Sequence, residues 1–208
     1  MSAARALAPL LADRQLWQGR AAPTDIPAQP TGWPELDAAL PASGWPDAAL
    51  TEILLPADGV GELQLLLPTL ARLTQTDRPI VLIAPPYPPC VAGWRCAGVD
   101  MRQVEIVSTA DDKYALWATE QCLRAGCCAA VLAWPRQADD RSLRRLQVAA
   151  DSGRALAFVF RDRACAAQAS PAALRLEIEI APPRLRVRKC RGGPIPASAV
   201  PFHFDRER

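Results

Sequence analysis

Four short, largely apolar runs, Leu50–Leu54, Ile80–Ala84, Ala129–Trp134 and Ala155–Phe160, punctuate this chain, and helix-like stretches separate them. Runs this short and this apolar, with little alternation, suit strands buried on both faces. Such strands need helices above and below, so the pattern predicts an α/β fold with a mostly parallel sheet between two helical layers. Gln103–Val107 is a further strand. Leu63–Leu73, Pro88–Cys96, Asp111–Ala125 and Asp139–Ala150 are the expected helices. In the last of these, Leu143, Leu146, Gln147 and Ala150 share one face, while Arg141, Arg144 and Arg145 point elsewhere. Asp111-Asp112 and Asp139-Asp140 stand at helix starts, where a carboxylate stabilises the positive helix end, and Gly126 is placed to stop a helix. Beyond residue 170 the pattern changes. Leu174–Ile180 alternates apolar and charged residues, as does Leu185–Arg188. These predict antiparallel strands with one wet face, joined through Pro182-Pro183. Gly192-Gly193-Pro194 then turns toward a last strand near Phe202–Phe204.

The segment between the first strand and the helix that follows it, residues 55–63, reads Leu-Pro-Ala-Asp-Gly-Val-Gly-Glu-Leu. A glycine-rich turn from strand to helix is where a phosphate-binding loop belongs. A working loop, G-x-x-x-x-G-K-[ST], cradles phosphates on backbone N–H groups, neutralises them with its Lys and holds Mg²⁺ with its hydroxyl. Here Leu55 replaces the opening glycine, and the spacing to Gly61 is one residue too long. Glu62 replaces the lysine and Leu63 the hydroxyl, with Gly59 inside the loop. A carboxylate beside a triphosphate repels it, so the architecture is kept without the nucleotide chemistry. No nucleotide, metal or other cofactor is expected.

Net charge is +2 over 208 residues, which alone argues nothing about nucleic acid, but the charge is uneven. Seven basic residues lie between Arg184 and Arg208 against Asp205 and Glu207. A basic tail on a slightly acidic body suits an acidic partner surface or a phosphate backbone. It equally suits a solvated strand that protects a sheet edge. Seven cysteines, odd in number and without CxxC pairing, read as reduced thiols of a cytoplasmic fold rather than a metal site. No apolar run reaches the roughly 18–20 residues of a membrane span, and no export signal is evident in residues 1–12. His203 is the one histidine, between two Phe residues, and suits strand packing better than nucleophilic catalysis. Of the six Trp residues, Trp33 and Trp45 lie in Pro/Gly-rich loops, where burial is not guaranteed. Met1–Trp17 has helical spacing of Leu7, Leu10 and Leu11, and Ala21–Pro30 is a Pro- and Ala-rich linker. Pro34 suits the first position of a short helical turn within Thr31–Leu40.

Several stretches resemble a known family. Thr31-Gly32, Leu36-Asp37, Ala39-Leu40, Gly44, Pro46 and Glu52-Ile53 resemble the run before the phosphate loop in RecA-type recombinases. Gly98-Val99-Asp100 resembles a further RecA segment. Thr31–Leu40, Glu52–Leu67, Ala130–Phe160 and Leu185–Gly193 together resemble ImuA, a RecA-like accessory protein of bacterial damage-induced mutagenesis. Leu66–Ala71 and Ala129–Phe160 also resemble SulA, a cell-division inhibitor. The resemblance implies a RecA-like three-layer core over residues 31–181. An N-terminal helix (1–20) and linker (21–30) precede it, and a basic hairpin or tail (182–208) follows. It implies a non-catalytic adaptor of the SOS response and translesion DNA synthesis. Its implied partners are RecA, the Y-family polymerase homologue ImuB and an error-prone polymerase III alpha subunit, with DNA contacts indirect or weak. The SulA likeness implies instead a division inhibitor that binds FtsZ.

On a RecA-like frame, the other catalytic positions are also emptied of chemistry. The base after Ile80–Ala84 would fall at Pro85-Pro86, and the Mg²⁺-side carboxylate after Ala129–Ala133 at Trp134-Pro135. The γ-phosphate sensor falls at Arg161, next to Asp162. Lys189-Cys190-Arg191-Gly192 resembles a Lys-x-Arg-Gly element that in several RecA-like proteins reaches a neighbouring subunit's nucleotide. Arg186, Arg188, Lys189 and Arg191 are therefore candidate partner contacts. Leu7, Leu11 and Trp17 are the corresponding candidates on the N-terminal helix, which in RecA-like proteins docks on a neighbour.

Overall fold

The computed structural model describes residues 28–202. The expected N-terminal helix with Leu7, Leu10, Leu11 and Trp17, most of the linker, and His203 to Arg208 lie outside the described residues. In chain order the elements are β1 (Ala28–Gln29), α1 (Pro34–Ala39), β2 (Trp45–Pro46), β3 (Leu50–Leu55), α2 (Glu62–Leu73), β4 (Ile80–Ile83), α3 (Val91–Cys96), β5 (Val104–Val107), α4 (Asp112–Arg124), β6 (Ala130–Ala133), α5 (Asp140–Gly153), β7 (Leu156–Asp162), β8 (Leu174–Ile180), β9 (Pro183–Cys190) and β10 (Val200–Pro201).

Eight strands form one sheet in the order β10-β9-β8-β3-β7-β6-β4-β5. From β8 to β5 every pairing is parallel; β9 and β10 are added antiparallel. The parallel strands have side chains on two covered faces, as their apolar composition requires. One face carries Ile53, Leu82, Leu132 and Phe158 against Leu65, Leu66 and Leu70 of α2 and Trp94 of α3. The other carries Val81, Val131, Ala157 and Val159 against Ala115 and Ala118 of α4 and Leu143, Leu146 and Ala150 of α5. Alternate residues of one strand thus feed two separate apolar layers, which gives the three-layer αβα arrangement.

The helix ends follow the expected electrostatics. The Asp111 side chain accepts from the Lys113 and Tyr114 amides, and that of Asp139 from the Ser142 amide. Each satisfies donors that the first helical turn leaves free. The two loop tryptophans are both anchored. Trp45 is wholly buried, and its indole N–H donates to Thr69 Oγ1 at 2.8 Å. The Trp33 indole donates to the Leu65 carbonyl at 2.8 Å, and its ring meets Phe202 edge-on. Among the described tryptophans only Trp117 stands out in solvent, beside Tyr114.

Two expectations need correction. Residues 28–29, inside the expected linker, pair with Trp45–Pro46 as a small antiparallel ribbon. β8 has no wet face along most of its length: Arg175 and Glu177 are buried with their apolar neighbours. The reason is a buried ion triad. Glu52 of β3, wholly buried, lies 2.7 Å from Arg161 Nη1 of β7 and 2.6 Å from Arg175 Nε of β8. The remaining donors of Arg161 reach the Ala138 carbonyl and Gln168 Oε1. Those of Arg175 reach the carbonyls of Cys165, Ala166 and Gln168. Residues 163–168 therefore close over β8 as a polar lid. Arg161 was expected near Asp162, but it turns to Glu52, while Asp162 accepts from the Ala164 amide.

A buried carboxylate shared by two guanidiniums is costly to leave half-made. Replacing Glu52 with Ala strands two buried cations. We expect a loss of about 3–5 kcal/mol in urea unfolding, whereas an exposed ion pair such as Arg144–Asp140, broken by Arg144→Ala, costs about 0.5 kcal/mol.

Candidate functional site: a self-filled phosphate loop and the cleft beside it

β3 runs into the loop at residues 56–61, and Gly61 caps α2 with φ +101°, a left-handed conformation that favours glycine. The helix N-terminus that follows would ordinarily attract an anion, because its first amides are unpaired and its dipole is positive. The anion here belongs to the chain. Glu62, first residue of α2, is buried, and its Oε1 accepts from the Gly59 amide at 3.0 Å. The loop thus closes on its own carboxylate. Residues 55–63 contain no Lys or Arg, so nothing in the loop neutralises a phosphate. Leu63, at the hydroxyl position, packs against the apolar core.

Beside the loop, the carboxyl ends of β3, β4, β5, β6 and β7 open on a cleft of about 850 Å³. This is the place where open α/β sheets bind ligands. Leu55 and Asp58 line it from the loop, Pro85, Pro86 and Tyr87 from beyond β4, and Asp112 from the start of α4. Trp134, Pro135, Arg136, Phe160, Arg161 and Asp162 complete it. The structure therefore gathers at one rim the positions where the sequence placed a lost base, a lost Mg²⁺ carboxylate and a lost sensor. Trp134 stacks on Phe160 at 4.3 Å with the rings 16° apart. Ala84 takes a left-handed φ of +52° where β4 ends, one residue earlier than expected, and its amide donates to the Val107 carbonyl. Among the described residues no cluster of three or more Cys, His, Asp or Glu is arranged to hold a metal.

The basic residues of β9 lie elsewhere on the sheet. Arg188 Nη2 reaches Glu177 at 2.5 Å, and Arg186 and Arg184 both reach Glu179. Lys189 donates to the Ser170 carbonyl at 2.7 Å, and partial burial lowers its ammonium below the usual lysine range. Arg191 is exposed, and its amide donates to the Ala173 carbonyl. Arg186, Arg188 and Lys189, three of the four candidate partner contacts, are thus held by their own strand pair or loop. Sequence reasoning missed the Glu52 triad. Its signal was a lone acid in an otherwise apolar strand, which cannot be buried without a cation.

The site is that of an α/β protein in which a strand, a glycine-containing turn and a helix with a buried acid at its first position border the cleft. The family model for the cell division inhibitor SulA matches residues 48–157, just over half of the chain, and the chain belongs to that family. The matched segment runs from the start of β3 into β7 and includes the loop. A solved structure similar to the chain, SulA from Pseudomonas aeruginosa, is 27% identical with a TM-score of 0.46, covering 53% of this chain and 96% of its own. No curated protein matches the chain. Among the described residues no helix is long and apolar enough to cross a membrane. The SulA likeness noted in the sequence is therefore the one these comparisons support, and they do not reach the ImuA likeness.

Two predictions follow from this geometry. Glu62→Ala removes a buried carboxylate at a positive helix end and the acceptor of the Gly59 amide. It should cost about 1–3 kcal/mol in urea unfolding, with Glu62→Gln losing less. The second concerns Glu179, whose carboxyl is held below its ordinary 4.5, chiefly by the hydrogen bond from Arg186. Because the folded value is depressed, the stabilisation is complete above pH 4.5 and is lost as pH falls through the folded value. Unfolding curves of Arg186→Gln and the parent chain should differ at neutral pH and converge in acid.

Proposed function

We propose that this chain is a non-enzymatic protein-binding member of the bacterial damage response that binds FtsZ and blocks its polymerisation. One observation carries the reading: inside the segment that matches the division-inhibitor family, the loop amide that would meet a phosphate is taken by Glu62. A scaffold whose anion site is filled from within has no use for ATP, and what it retains is surface. The family supports FtsZ as that surface's partner. Adding the purified chain to FtsZ and GTP should lower the sedimented polymer in proportion to the chain added, reaching near-complete loss at equimolar amounts. Unchanged sedimentation would refute this reading.

A second reading has its own support. The family match stops at residue 157, yet the sheet continues through β8, β9 and β10, joined to β3 by the buried triad. Of the stretches that resemble ImuA, Thr31–Leu40 precedes the family match and Leu185–Gly193 follows it. The reading is an adaptor of translesion synthesis that touches RecA, ImuB and the error-prone polymerase III alpha subunit, without hydrolysing nucleotide. Arg191, just past the end of β9, is then the candidate best placed to contact a partner, because Arg186, Arg188 and Lys189 are engaged. Binding to immobilised RecA filaments should be saturable and weakened severalfold by Arg191→Glu; absence of binding would set this reading aside.

A further inference from the structure

We propose that the cleft at the carboxyl ends of β3 to β7 docks a cationic peptide segment of a partner protein. An arginine or lysine side chain would enter toward Asp58, Asp112 and Asp162 and the Trp134–Phe160 stack. The inference deepens the protein-binding reading above and rests on it.

Three features select a cation. The first is charge that is fixed but not neutralised. Asp112 accepts from the Arg136 backbone amide and Asp162 from the Ala164 amide, and none of the three carboxylates has an ion pair among the described residues. Backbone donors orient these groups without cancelling them. Of the two guanidiniums on the lining, that of Arg161 is already spent on Glu52, the Ala138 carbonyl and Gln168. That leaves Arg136 alone against three acids.

The second feature is the kind of partner the lining calls for. The ends of β4 and β6 continue into Pro85-Pro86 and Pro135, which have no N–H to offer, and the hydroxyls of Tyr87, Ser108 and Thr109 can accept as well as donate. Three carboxylates beside them suit a ligand rich in N–H, as guanidinium and ammonium groups are. The Trp134 indole N–H is buried without an acceptor, and a peptide carbonyl that displaced the rim would supply one.

The third is shape. About 850 Å³ is far more than one ion fills and is in the range of sites that take a short peptide or a drug-sized molecule. The indole face is the preferred aromatic partner of a cation. A polyphosphate is the opposite case: it would meet three carboxylates and a loop amide already taken by Glu62.

The test uses the full chain and two fluorescein-labelled hexapeptides, one alternating Gly with Arg and one alternating Gly with Glu. Fluorescence anisotropy should rise saturably with the Arg peptide and not with the Glu peptide. Asp58 makes no hydrogen bond or ion pair among the described residues, so Asp58→Lys should fold and weaken the Arg peptide by about tenfold or more. Glu105→Lys, which makes the same charge change on the exposed edge strand β5, should leave binding unchanged. Equal weakening by both variants would show attraction to overall charge and overturn the proposal. So would comparable binding of the Glu peptide, or no saturable binding of either. Failure here leaves binding to FtsZ or RecA by another surface intact, since those assays use whole partners and do not depend on the cleft.

Discussion

An acid at the first position of α2 decides what this scaffold is able to hold. A strand that turns through glycine into a helix presents unpaired amides and a positive dipole at one point, and some anion has to answer them. In this chain a carboxylate is covalently attached at that point: Glu62, buried, accepts from the Gly59 loop amide through Oε1, while its Oε2 is buried without a hydrogen-bond partner. The loop reaches its closed form without a ligand. The ends of five parallel strands still converge on the adjacent cleft, because the topology and the two apolar layers fix them there whatever the loop binds. Geometry and chemistry have separated at this site, and what the geometry now offers is a walled cleft with aromatic and acidic lining.

The second organising interaction is the Glu52 triad. It joins β3, β7 and β8 and holds Ala138, Cys165, Ala166 and Gln168 through hydrogen bonds from the two guanidiniums. Burying three charges together is not a cheap source of stability, since desolvation opposes the Coulombic gain. Its structural effect is more definite: the two guanidiniums hold the backbone carbonyls of Ala138, Cys165, Ala166 and Gln168 against the sheet beside β8. It also ties the antiparallel β9–β10 extension, which lies beyond the family match, to the strand that precedes the loop. The basic residues of that extension pair with Glu177 and Glu179 of β8, so the excess of Arg there serves the sheet first.

Much of this was legible in the sequence. The parallel strands were identifiable because short, largely apolar runs have few other uses, and the starts of α4 and α5 because Asp111 and Asp139 stood at their caps. That an acid, Glu62, stands at the first position of the helix after the glycine turn was also readable from the sequence. What escaped had physical reasons. Ala28–Gln29 and Trp45–Pro46 are two residues each, too short for any period to register. The alternation of β8 suggested a wet face because the segment that covers it has no periodicity of its own. Arg161 was expected beside Asp162 because sequence reasoning sees neighbours. Its actual partner is 109 residues away on the neighbouring strand, two positions off in register, since Glu52 itself pairs with Val159. The triad was hinted at by single charges in apolar strands, a signal that names the need for a partner without naming the partner.

Titration of the native chain with Mg·ADP in a calorimeter puts the self-filled loop most directly at risk. If Glu62 occupies the anion site, no saturable heat should appear up to millimolar nucleotide. A one-to-one isotherm with a dissociation constant in the micromolar range would mean that the loop opens to a phosphate after all, and would contradict the account.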